Sequence, residues 1–164
     1  MHSEETPPKL DAHQGDPVID AILKPFYRPD RILAQKVEQI DGKNCKVTFK
    51  FPAYGKTIQQ LDHVSVVQMQ EAVVEGLYIA IGLAVKNNPT LSNLTFEEFE
   101  KRLGDVLYVQ DEASYRQKLP PESEATLTFK VLDPRLKGGL TAVTVEVDGF
   151  TRRKVTCFLT SKSS

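Results

Sequence analysis

The sequence carries no excess of charge of either sign: 21 lysines and arginines stand against 22 aspartates and glutamates in 164 residues. That balance excludes the basic stripe by which a nucleic-acid-binding module is recognised. Cysteine is nearly absent. Cys45 and Cys157 lie far apart, with neither a metal-binding spacing nor a disulfide framework, and both fall in strand-like patterns where a thiol is a small buried hydrophobe. Free thiols fit a reducing cytoplasm, and no metal and no cofactor are expected. No internal repeat, low-complexity tract or linker divides the chain. Its length suits one domain with a full core and is short for two. The opening MHSEETPPKLDAHQGD is acidic and proline-bearing and lacks the apolar centre of a signal peptide. Residues 1–16 are therefore expected to be a disordered lead-in to a single domain over 17–164.

One long apolar run is present, from Val64 to Val85. Its length suggests a membrane span, yet Gln68, Gln70, Glu71 and Glu75 would each cost roughly a few kcal/mol in hydrocarbon, so no span is expected. Ser65 and Gln68 have the spacing of a capping box, with Val64 and Met69 placed for a hydrophobic staple. A helix from Ser65 to about Lys86 follows, a rod of roughly 33 Å. Apolar residues run around most of its girth, which predicts a helix wrapped by the fold rather than laid on its surface.

On either side the period changes. PVIDAILKPFYRPDRIL predicts a short helix ended by Pro25, and NCKVTFKF a strand with Cys45, Val47, Phe49 and Phe51 on one face. LTFEEFEKRL predicts a short helix with Thr95 and Glu98 as a second capping box. DVLYVQDEASYRQKL, EATLTFKVLD, GLTAVTVEVD and FTRRKVTCFLT then read as four strands. Pro120-Pro121, Asp133-Pro134, Gly138-Gly139 and the hairpin pair Asp148-Gly149 punctuate them. A strand, a buried helix and about four sequential antiparallel strands predict an α+β hot-dog fold, a curved antiparallel sheet wrapped around one long central helix. Such a sheet leaves open edges, so a homodimer or higher homo-oligomer is the expected assembly.

The resemblance to hot-dog enzymes implies a site near the N-terminal end of the central helix, at the dimer interface, where unpaired N–H groups and the positive dipole end suit an acyl-thioester oxygen that gains negative charge. The residues beside that end are Tyr54, Thr57, Gln59, Gln60, Asp62, His63 and Ser65. His63 is the sharpest candidate, because an imidazole titrates near neutrality and can accept a proton from a nucleophile; a hydrogen-bonded loop histidine is the plain alternative. Helix capping explains Ser65 and Gln68 adequately. Gln68, Glu71, Glu75 and Tyr78 recur every three or four residues as one polar stripe. Glu75, deeper in the apolar run, is the better candidate for a carboxyl with a raised pKa, whereas Glu71 reads as solvated. Tyr27 and Tyr54 could donate to a carbonyl, though packing explains each. Arg135, Lys137, Arg152, Arg153 and Lys154 read as solvated hairpin decoration, with phosphate or carrier-protein contact as the functional alternative. Tyr115-Arg116 stays open between the same two readings.

DHVSVVQMQEAVVEGLY resembles the helix-opening segment of FcoT-like proteins, a hot-dog group of long-chain acyl-thioesterases. YRQKLPPESEATLTFKV is similar to the group's aromatic-Arg-Lys-x-Leu segment, and LKPFYRPDRIL to its Leu-x-Pro-aromatic segment. The resemblance implies that the family histidine falls on His63, the helix-end tyrosine on Tyr78 and an upstream catalytic tyrosine on Tyr27. The family asparagine falls on Ser65 and its glutamate on Gln68. A further family tyrosine falls on Thr57, or on Tyr54 with a gap. The implied chemistry acts on acyl-CoA or an acyl-carrier protein: thioester hydrolysis, or conjugate addition of glycine to a 2-enoyl thioester, with Arg28, Arg31 or Arg116 holding the glycine carboxylate. The expected catalytic residues are His63, Ser65, Glu75, Tyr27 and Tyr54; Gln68, Tyr78, Arg116 and Arg28 are expected to bind substrate. Two other classes stand beside this. One is a 3-hydroxyacyl/2-enoyl thioester dehydratase or hydratase that pairs His63 with Glu75. The other is a non-catalytic acyl-binding or scaffold hot-dog protein.

Overall fold

The computed structural model describes residues 16–52, 63–88, 96–101, 107–132, 134–137 and 140–160. Helix α1 (Pro17–Leu23) starts at Asp16, whose Oδ1 accepts from the amides of Val18 at 2.9 Å and Ile19 at 3.4 Å, with Pro17 in the first turn. The other oxygen of Asp16 accepts from the Val37 amide at 2.8 Å. One carboxylate thus caps α1 and fixes it to the strand that follows, so residue 16 is a structural member of the domain and not part of the lead-in. Ile19, Ile22 and Leu23 are buried, as their spacing predicts. A 3-10 turn (Pro29–Arg31) then leads into β1 (Ala34–Gln39) and β2 (Asn44–Lys50).

Helix α2 (Val66–Asn87) is the central rod. The capping box forms as predicted: Ser65 Oγ accepts from the Gln68 amide at 3.1 Å, and Gln68 Oε1 accepts from the Ser65 amide at 3.2 Å. From Ile79 to Val85 every residue is buried, so the C-terminal half is wrapped on all sides. Two contacts at glycines set its depth. A Cβ on Gly76 would run into the Phe129 ring, 2.6 and 2.8 Å from its two Cε atoms, and one on Gly82 would meet Ile22 and Phe99 at 3.0 Å each. The sheet therefore touches the helix backbone at Gly76, while α1 and α3 (Phe96–Lys101) close on it at Gly82. Among the described residues α2 is the helix long and apolar enough to cross a membrane, and 67% of its most apolar window is buried inside the fold. Thr95 lies outside the described residues.

Strands β3 (Leu107–Tyr115), β4 (Glu124–Val131), β5 (Arg135–Lys137), β6 (Leu140–Asp148) and β7 (Thr151–Thr160) complete one antiparallel sheet. Its order is β1-β2-β4-β6-β7-β3, with β5 also on β6. Two strands were not foreseen. β5 pairs with Leu140–Ala142 of β6 while β4 pairs with Val145–Asp148, so β5 continues the line of β4 beyond Pro134, which has no N–H to give a ladder. β1 carries Lys36, Glu38 and Gln39 exposed and lies at a sheet edge, where no apolar alternation is demanded. Inward positions of the inner strands are apolar: Cys45, Val47 and Phe49; Leu127, Phe129 and Val131; Val143, Val145 and Val147. Outward positions bear charges of alternating sign, as in the rung Glu112–Lys154–Glu146–Lys130. The result is the predicted hot-dog fold.

Candidate functional site

The N-terminal half of α2 is buried on one side only. Val66 is 59% exposed and Val67 51%, and Gln70, Glu71, Val74 and Tyr78 continue the same open face at partial or full exposure. Ser65 Oγ takes the third amide of the helix and the Ser65 carbonyl takes the Met69 amide. The amides of Val66 and Val67 have no partner among the described residues. Two helix-terminal donors beside two exposed valines thus have no acceptor among the described residues. His63 stands immediately before them, partly buried, and the chain between is anchored by the Val64 amide on the Leu119 carbonyl at 2.9 Å. Gln68 is buried and donates its Nε2 to the Pro52 carbonyl at 3.2 Å, so both ends of its side chain work for the local structure. Tyr54, Thr57, Gln59, Gln60 and Asp62 lie outside the described residues.

A second cluster sits midway along the rod. Glu75 is 2% exposed; its Oε1 accepts from the amides of Leu33 and Ala34 at 2.9 and 3.1 Å, and its Oε2 from Leu33 at 3.2 Å. Burial drives its pKa up, the two amides pull it down, and burial wins, leaving the carboxyl at about 8. Tyr27, Tyr78 and Phe26 pack beside it with ring centroids 5.5 to 6.3 Å apart. Burial also raises the phenol of Tyr27, reinforced by Tyr78, Glu75 and Glu71. Tyr78 is raised by burial and then by the neighbouring Cys157. The thiols of Cys45 and Cys157 are pushed by burial up to about 12 and stay protonated.

The predicted residues therefore form two groups, not one. His63, Ser65 and Gln68 gather at the start of α2, whereas Glu75, Tyr27 and Tyr78 gather further along. Ten residues separate Ser65 from Glu75, roughly 15 Å of helix. Within one protomer His63 and Glu75 therefore do not flank the same substrate carbon. Arg28 is exposed at the 3-10 turn, and Arg116 makes an open ion pair with Asp148 at 3.5 Å.

Arg153 corrects the reading of the late basic residues. Arg135, Arg152 and Lys154 are exposed, but Arg153 is 3% exposed. Its guanidinium donates to Gln70 Oε1, to Asp111 Oδ2 at 2.8 Å, to the Tyr115 hydroxyl at 2.6 Å and to Thr151 Oγ1 at 3.4 Å. Thr151 in turn donates to the Ser114 carbonyl at 3.0 Å. α2, β3 and β7 thus meet at one cation. The signal was available in the alternation: Thr151, Arg153, Val155, Cys157 and Leu159 share one face of β7, the buried one. A cleft of about 540 Å³ on the opposite, convex side of the sheet is lined by Glu112, Glu146, Asp148, Arg152 and Lys154. Ser114 and Arg153 also border it, and neither His63 nor Glu75 does.

No family model and no curated protein match this sequence. Solved structures do. RHA08564, described as a thioesterase superfamily protein, is 13% identical with a TM-score of 0.46 over 75% of this chain, which spans about half (54%) of that one. The uncharacterized protein PH1136 from Pyrococcus horikoshii is 16% identical with a TM-score of 0.52, covering 87% of this chain and 93% of that one. Cj0977, a sigma28-regulated virulence protein from Campylobacter jejuni, is 11% identical with a TM-score of 0.52, covering 88% and 97%. What this chain has in common with PH1136 and Cj0977 is its architecture, the hot-dog fold.

Proposed function

We propose that this chain is an enzyme acting on acyl thioesters of coenzyme A or of an acyl-carrier protein, and that it belongs with the FcoT-like group. The observation that carries the proposal is the start of α2. Two amides without a partner among the described residues, Val66 and Val67, stand at a positive helix end, next to exposed apolar side chains and close after His63. An acyl thioester needs those three things together: donors for the carbonyl oxygen as it becomes an oxyanion, apolar surface for the chain, and a base for the nucleophile. His63 takes the proton from attacking water in hydrolysis, or from the amine of glycine in conjugate addition. Ser65 and Gln68 act by holding the cap that leaves the first two amides open. Tyr27 and Tyr78 stand further along α2, with Glu75 buried beside them. Arg116, in its open pair with Asp148, and Arg28 are exposed cations that would meet a phosphate or carboxylate. The protein works in the cytoplasm as a homodimer that covers the open face of α2.

The test offers three substrates: a saturated acyl-CoA, a 2-enoyl-CoA, and the 2-enoyl-CoA with glycine. Thiol release and adduct mass are followed. Hydrolysis gives free thiol from the saturated ester; addition gives an intact thioester heavier by one glycine. His63→Ala is expected to reduce turnover about 100-fold or more. Unchanged turnover in that variant removes the base role, and inertness toward all three with retained acyl-CoA binding leaves a non-catalytic acyl binder.

A further inference from the structure

Tyr115 and Arg153 form a built polar site on the helix face where the proposed thioester would bind. Val66 and Gln70 lie four residues apart on α2 and stack on the same side of the helix. Gln70 accepts from Arg153, and Arg153 donates to Tyr115, so the cluster lies about one turn, roughly 5 Å, along from the open amides. The Tyr115 hydroxyl is held by its lone pair. Arg153 Nη2 donates to it at 2.6 Å, and the guanidinium carbon sits 5.4 Å from the ring centroid. The hydroxyl proton has no acceptor among the described residues, and the side chain, 44% exposed at the end of β3, opens to solvent. A phenol whose oxygen accepts from a buried cation is a strengthened donor.

The charge of the cluster sets what it can read. Asp111, at 2.8 Å from Arg153, already neutralises the guanidinium. A carboxylate ligand would therefore meet the Asp111 charge as well as the cation, whereas a neutral acceptor oxygen meets an aimed donor and no net charge. We propose that Tyr115 is a specificity-determining donor for acyl thioesters with a neutral oxygen, a ketone or hydroxyl, a few bonds beyond the thioester carbonyl, and that Arg153 is its positioning residue. This rests on the acyl-thioester reading above. A site that hydrogen-bonds an oxygen rejects the analogue without it, since the polar groups would otherwise be covered unpaired.

The experiment compares saturated, 3-hydroxy and 3-oxo acyl-CoA esters of equal chain length, by turnover and by direct binding to the full-length chain. The expected result is a preference of about tenfold or more for an oxygenated ester. Tyr115→Phe keeps the ring over Arg153 and should abolish that preference while changing kcat/KM for the saturated ester by less than about twofold. Arg153→Lys, which keeps the charge but not the four-way bridge, should weaken the preference in a protein whose circular dichroism is unchanged. Equal treatment of all three esters, or an equal loss on all three in Tyr115→Phe, overturns the proposal. If no ester is turned over, hydrolysis fails, and binding alone decides this inference. A binding preference lost in Tyr115→Phe supports it, and equal binding ends it.

Discussion

Glu75 is a single residue in which two opposing effects can be weighed. Two backbone amides favour its ionised form, yet its burial raises the carboxyl to about 8 from an ordinary value of 4.5. The folded state therefore holds this proton where the unfolded chain releases it. The linked stability is fully present below about pH 4.5, falls as pH rises through the interval to about 8, and is flat beyond. The slope from one such group is at most about 1.4 kcal/mol per pH unit. Glu75→Gln cannot titrate, so the difference in melting temperature between the natural chain and this variant should change across that interval. Parallel melting curves from pH 5 to 8 would show that the carboxyl is ionised throughout. Position 75 was legible in the sequence as a carboxyl deep in an apolar run. Its partners were not, because they are backbone amides 42 and 41 residues away whose direction depends on how β1 enters the sheet. Arg153 was misread for a different reason. Three consecutive basic residues look like surface, and only the phase of β7 marks the middle one as inward.

At the scale of the element, α2 was the most legible part of the chain. Its cap, start, length and wrapping all follow from Ser65, Gln68 and the apolar run, because helix signals are local. Ser65 gives the corresponding prediction. Ser65→Ala leaves the Gln68 amide without its acceptor and should cost about 1 kcal/mol, a fall of roughly 2–4 °C in melting temperature. Asn at the same position accepts equally well and should restore the loss; a loss that Asn does not repair would assign Ser65 a role beyond the cap. Strand β1 was the least legible element. With Lys36, Glu38 and Gln39 outward, and Ala34 its one fully buried residue, it owes its existence to pairing with β2 and to Asp16, and pairing is not a local property.

For the whole molecule, the sheet ends at β1 and β3, and α2 keeps one face uncovered over its first half. An open edge and an apolar face on one molecule favour self-association. The expected assembly is a dimer, read by light scattering as twice the chain mass. Val67→Glu places a charge on an exposed position that the monomer's own packing does not use, and should shift the mass toward the monomer with little change in thermal stability. A monomeric natural chain would leave the open face to a ligand or another partner.

The close approach at Gly76 has a consequence for how this protein can change. Because the Phe129 ring rests on the helix backbone, rod and sheet are in contact there, while Val66, Val67 and Tyr115 are exposed at the start of α2 and the end of β3. Those three exposed side chains stand apart from the contact at Gly76 that sets the depth of the rod. A library varied at Val66, Val67 and Tyr115 can explore new substrates at small cost to folding, while one varied at Gly76 or Phe129 spends its members on collapse.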